Sequence, residues 1–186
     1  MTLFEYLAIA FGLLFSLSAL RLIGGLPAAL DGERGYWVHR TLVVTLLLHT
    51  AFAFWTSWSL SEVAWTLPRF FLALGIPGIL YFNVATLIPA DPPAVSSWRE
   101  YYYEVRERFF VGVTAWMLVI AAGSFVNLGM PIAHPARVTQ ALFLSIGLIG
   151  MSSSSHRVHA GLAISWLVIL LLAAITVGAG AGWVTN

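Results

Sequence analysis

The chain predicts an all-α integral membrane protein, a bundle of six transmembrane helices, and three observations predict it. Of its 186 residues, 60% are hydrophobic and 9% charged, where a soluble domain carries about 25% charged residues. The apolar residues gather into six stretches, and a helix rising about 1.5 Å per residue needs roughly 20 of them to cross about 30 Å of hydrocarbon. Basic residues, finally, fall unevenly on the links between the stretches.

The first span is expected over 3–25, and Glu5 in place of a basic flank reads as a retained helix rather than a secretory signal. A polar link, Pro27 to Gly35, leads to the second span over 38–60, whose outer end carries Trp55 and Trp58. The third span covers 67–88, with Pro68 suited to a first turn and Pro77 favouring a kink near Gly75 to Gly78. The longest link follows, and Trp98 to Arg108 reads as a short cytoplasmic helix lying at the headgroups, with Glu104 and Arg108 paired at i,i+4. The fourth span is placed at 109–128, the fifth and shortest at 136–151, and the sixth at 158–184. All 186 residues thereby form a single transmembrane domain.

Arg21, Arg34, Arg40, Arg99, Arg106, Arg108 and Arg157 fall on one side and Arg69 and Arg137 on the other. Positive flanks stay in the cytoplasm, so the first, third and fifth links are expected inside and both termini outside. A re-entrant fifth span would instead bring the C-terminus inside. Three spans plus three is the number of an inverted duplication, although the halves resemble each other faintly.

Composition also excludes chemistry. The nine basic residues are all Arg, which removes side-chain Schiff bases and with them covalent retinal and pyridoxal phosphate. With no Cys, disulfides, thiolate nucleophiles, covalent haem and iron–sulfur clusters fall away. A net charge of +1 implies no special affinity for nucleic acid. Any non-covalent cofactor or pigment is unknown from sequence.

Few residues are candidates for a site. His49 lies midway along the second span on one stripe with Thr41, Thr45 and Thr56; a buried ionisable group in a membrane is a functional candidate, and a neutral polar clasp between helices is its structural alternative. Asn83, Asn127 and Gln140 are the other polar residues within or near the hydrocarbon. At the cytoplasmic level, His39, His156 and His159 could in principle ligate zinc or copper, yet no carboxylate is fixed beside them and no metal is assigned. Ser155, His156, Arg157, His159 and His39 suit an anion or lipid headgroup better, because a helix N-terminus offers free amides and Arg157 a cation. The bland alternative has Ser155 capping the helix and Arg157 snorkelling. Ala174, Gly178 and Gly182 at four-residue spacing, like Ala8, Gly12 and Ser16, mark close-packed helix faces, read as packing within the monomer with an oligomer interface as the alternative. The Trp residues fit interfacial belts, with Trp37 and Trp98 inside and Trp55, Trp58, Trp65 and Trp183 outside.

Phe4-Glu5-Tyr6-Leu7, the run Arg21 to Leu26, Tyr36-Trp37-Val38-His39 with Phe52, Phe54 and Trp55, and Tyr101-Tyr102-Tyr103 before Arg108-Phe109-Phe110 span most of the chain. In these signposts it resembles a broad group of short multi-span bacterial membrane proteins, generally labelled hypothetical. The resemblance implies a bacterial inner membrane and carries over no catalytic or binding residue. The expected role is a non-enzymatic accessory or scaffolding subunit packing against membrane lipid, other membrane protein subunits or itself. The competing reading is a small transporter or channel with a pathway near His49, Asn83, Asn127 and Gln140. A membrane-embedded enzyme acting on lipids comes third.

Overall fold

The computed structural model describes residues 3–178, and their regular structure is helical throughout. Apolar side chains in long uninterrupted runs leave the backbone no polar partner in lipid except its own i−4 carbonyls, so each run becomes a helix. In order these are α1 (Leu3–Ala29), α2 (Trp37–Thr56) with a 3-10 turn at Ser57–Leu60, α3 (Leu67–Leu87), a 3-10 turn at Pro92–Ala94, α4 (Trp98–Val126), α5 (Ala136–Ser152) and α6 (His156–Gly178). Five of the helices are long and apolar enough to cross a membrane, and α5, at 17 residues, is the shorter exception. Pro77 lies buried within α3, which runs on as one helix through the segment where a kink is expected.

The largest departure from expectation is at α4. No separate interfacial helix precedes it, because Trp98 to Arg108 forms the first three turns of one 29-residue helix. Ser97 starts it by accepting the Glu100 N–H on its hydroxyl. Trp98, Tyr102, Val105, Phe109, Gly112 and Trp116 then form one buried stripe at alternating spacings of four and three, so the same face packs inward from end to end. Glu104 and Arg108 stand exposed and do not pair; an ion pair in the first link joins Asp31 and Arg34 at 2.8 Å. The second span also divides differently, since α2 ends at Thr56 and the 3-10 turn completes it.

The helices form two layers, α1, α2 and α6 over α3, α4 and α5, with α2 and α4 innermost. Around the rim the packed neighbours run α1, α2, α6, α5, α4, α3 and back to α1. This order does not carry the symmetry of an inverted duplication. Exchanging the halves would map the closely packed α3–α4 pair onto α6–α1, which is not among the principal pairs.

Close approach between helices depends on glycines, including Gly25 of α1, where a Cβ would meet Ile88. A Cβ at Gly112 would meet Asn83, one at Gly147 would meet Thr114, and one at Gly150 would meet the Phe110 ring. The two small-residue stripes expected from the sequence are not these. Gly12 has nothing within 4 Å of where its Cβ would stand, so the Ala8-Gly12-Ser16 face borders an open groove and is not packed inside the bundle. Ala174 lines another groove, Gly178 closes α6, and Gly182 lies outside the described residues.

Candidate functional site

The first, third and fifth links meet at one end of the bundle, where most of the arginines are. Their guanidinium groups hold backbone carbonyls. Arg21 donates to the Ile88 carbonyl at 2.9 Å, Arg34 to those of Pro93 and Val95 at 2.8 and 3.0 Å, and Arg40 to Ala29 and Asp31 at 3.1 and 2.7 Å. Arg106 donates to Met151 and Ser153. Links are polar because their backbone lacks helical partners, and arginine supplies several donors from one planar group. Arg99, Arg108 and Arg157 remain exposed on the same face. Asp31 accepts from Arg34, and this hydrogen bond holds its carboxyl below the ordinary value of 3.8.

The anion site expected at Ser155, His156, Arg157, His159 and His39 is not one constellation. His39 is fully buried; its ring stacks on Trp98 with centroids 4.5 Å apart, and Nε2–H donates to the Leu87 carbonyl at 2.9 Å. His159 turns inward as well. Its Nε2–H donates to the Ser153 carbonyl at 2.9 Å, so Nδ1 is the acceptor of the Tyr102 hydroxyl at 2.8 Å. His156 is exposed and meets the Tyr36 hydroxyl through Nδ1 at 2.8 Å, with the Tyr103 hydroxyl 3.3 Å from that of Tyr36. Burial pushes the Tyr36 phenol well above its usual range, which leaves it a neutral donor. Arg157 is exposed. Ser155 does not cap α6 with its side chain; the neighbouring Ser153 hydroxyl accepts the Ser155 N–H at 3.2 Å. Among the described residues no group of three His, Cys, Asp or Glu could hold a metal ion.

Tyr36, Tyr102 and Arg106 are the partners that sequence reading missed here. The signal was present in Tyr101-Tyr102-Tyr103, but reading it needs to know that α4 continues through them.

The buried polar residues are engaged separately. His49 accepts the Trp166 indole N–H on Nδ1 at 3.1 Å, a link from α2 to α6. Trp116, Phe143, Trp166 and Phe52 surround its ring with centroids at 4.6, 5.3, 6.1 and 6.2 Å. Its stripe partners act locally. Thr56 donates to the Ala53 carbonyl, and the Thr45 hydroxyl is buried without a partner. Asn83, also without a partner, lies against Gly112 between α3 and α4. At the opposite end of the bundle, Asn127 donates to the Arg69 carbonyl at 3.3 Å. Gln140 accepts from Arg137 at 2.7 Å and donates to the Ser124 hydroxyl at 3.1 Å.

Two apolar grooves open on the outside of the bundle. One, of about 310 Å³, lies between α2 and α6 along Leu48, Phe52, Trp55, Leu170, Leu171 and Ala174. The other, of about 240 Å³, lies between α1 and α2 beside Gly12 and Phe54. Neither is lined by His49, Asn83, Asn127 or Gln140. The tryptophans divide likewise: Trp37, Trp55 and Trp58 are exposed near helix ends, whereas Trp98, Trp116 and Trp166 belong to the core. Trp98 is thus no belt residue, and Trp183 lies outside the described residues.

Five long apolar helices, with large hydrophobic side chains exposed on every one, make this a multi-pass α-helical membrane protein. Comparison adds no relative: no family model, no curated protein and no solved structure matches the chain.

Proposed function

We propose that the protein is a six-span subunit of the bacterial inner membrane that works by assembly, packing against lipid or other membrane proteins rather than catalysing a reaction. One observation carries this reading. Three of the four polar side chains that would line a conduit are engaged at their own places, His49 by Trp166, Gln140 by Arg137 and Ser124, and Asn127 by the Arg69 carbonyl, while Asn83 is packed against Gly112. Aromatic rings close around His49, so the middle of the bundle supports a packed element more than a pathway. Exposed apolar faces and the three outward arginines suit contact with lipid tails and anionic headgroups.

The six-span part rests on α5. Arg137 at its start bonds to the Ala121 carbonyl and the Ser124 hydroxyl near the end of α4, while Arg106 near the start of α4 bonds to Met151 and Ser153. α5 thus lies along α4 from Ser124 back to Arg106, which supports a crossing, since about 25 Å of helix nearly matches the hydrocarbon. Phe4 against Trp58 puts the start of α1 at the end of the second link, opposite the arginines. The rule that arginine-rich links stay inside then makes both termini periplasmic.

Purification in mild detergent, with mass determination and identification of everything that travels with the protein, tests the function. Stoichiometric companion proteins are expected. A homogeneous homo-oligomer carrying lipid alone would overturn the part of the reading that has it assemble with other membrane proteins, and would favour transport.

A further inference from the structure

We propose that the α2–α6 seam binds a membrane-soluble ketone of the quinone class, its carbonyl accepting the proton of His49 Nε2 and its alkyl tail lying in the neighbouring groove. The argument begins with the Trp166 indole N–H, which can only donate. His49 Nδ1 must therefore be the lone-pair nitrogen, and the ring proton sits on Nε2. That N–H has no acceptor among the described residues, although His49 is only 5% exposed. The neighbouring Trp116 ring, with its centroid 4.6 Å from that of His49, has a buried N–H without a partner. The His49 Nε2 proton lacks an acceptor, which a ligand carbonyl would supply.

Depth and shape narrow the ligand. His49 lies mid-way along its membrane segment, far from the interfaces where phospholipid ester carbonyls are held. Charge is costly there, so a neutral carbonyl fits and a carboxylate or phosphate does not. The 310 Å³ groove starts one turn from the clasp: Leu48 and Phe52 flank His49 on α2, and Leu170 and Ala174 follow Trp166 at four-residue spacing on α6. Its lining is apolar, as an alkyl or prenyl tail requires. The half-buried Phe52 ring lines the groove with its centroid 6.2 Å from that of His49, so a planar head beside it could stack on the ring.

The test is titration of the purified protein, in detergent micelles, with decylubiquinone carrying ¹³C-labelled carbonyls. Tryptophan quenching reports binding and the infrared carbonyl band reports the hydrogen bond. Saturable binding of one equivalent and a lowered band are expected. His49→Phe should weaken binding roughly five- to tenfold, the worth of one neutral hydrogen bond, and return the band to its unbonded position. Ala174→Trp fills the groove without touching the clasp, and it should abolish saturable binding while leaving helix content and elution volume unchanged. An alkylbenzene of equal length should compete poorly. Unsaturable quenching, an unshifted band in the wild type, or equal competition by the alkylbenzene would overturn the proposal. If His49→Phe fails to fold, the wild-type band and Ala174→Trp still decide it.

Discussion

Gly150 and Gly147 show how much of this bundle turns on single atoms. With no Cβ, each lets α5 lie directly on α4, against the Phe110 ring and Thr114. Gly150→Val should therefore cost about 1–3 kcal/mol by forcing the ring aside, measured by thermal unfolding in detergent. Gly161→Ala, where nothing lies within 4 Å, should be neutral or slightly stabilising. The His49–Trp166 pair makes a second residue-scale prediction. His49→Phe leaves a buried N–H without its acceptor and should cost about 1–3 kcal/mol. Adding Trp166→Phe should then cost less than it does alone, and strict additivity in the double-mutant cycle would mean the bond contributes nothing. Asp31 gives a pH dependence with a definite sign. Its carboxyl is held below 3.8 by the Arg34 hydrogen bond, so the stabilisation is complete above that ordinary value and disappears as pH falls through the lowered one. Wild type and Asp31→Asn should thus differ in melting temperature at pH 6 and converge in strong acid. Sequence could flag His49 as buried and polar because a lone ionisable residue stands out in an apolar run. It could not supply Trp166, 117 positions away, since that pairing is made by helix packing.

At the scale of elements, hydropathy placed the helices well and their ends less well. The beginning of α4 was misread because Arg99, Glu100, Glu104, Arg106, Glu107 and Arg108 look like an interfacial segment when charges are counted. The counter-signal was the spacing of Trp98, Tyr102, Val105, Phe109, Gly112 and Trp116, one inward stripe that ignores where the hydrocarbon begins. Charges can ride on the outer face of a helix whose inner face stays apolar. The histidines near the membrane surface were misgrouped for a related reason. Span ends fix the depth of His39, His156 and His159 but not their azimuth, and azimuth sends two of them inward. Arg137 illustrates what fastens an element. It donates to the Ala121, Met130 and Pro131 carbonyls and to Ser124 and Gln140, joining the end of α4 to the start of α5. Arg137→Gln should lower stability by about 1.5–3 kcal/mol, and Arg137→Lys should recover only part of it, since one ammonium cannot span the same acceptors. Equal stability of all three proteins would contradict the clamp.

For the whole molecule, the absence of Cys gives a clean background for mapping orientation. Ser154→Cys and Glu62→Cys, both at exposed positions, lie at opposite ends of the bundle. A membrane-impermeant maleimide should label the first only in inside-out vesicles and the second only in right-side-out vesicles; the reverse pattern would invert the orientation. The closed ring of neighbours, in which α6 packs beside α2, also bears on biosynthesis. Helices leave the ribosome in chain order, so α2 waits in the bilayer while the 117 positions from His49 to Trp166 are made, its His49 without the Trp166 donor. The last helix is thus the latch that satisfies a group laid down among the first. A chain stopped before Ser155 would leave a slot shaped for α6, and α6 supplied as a separate peptide is the natural piece to refill it.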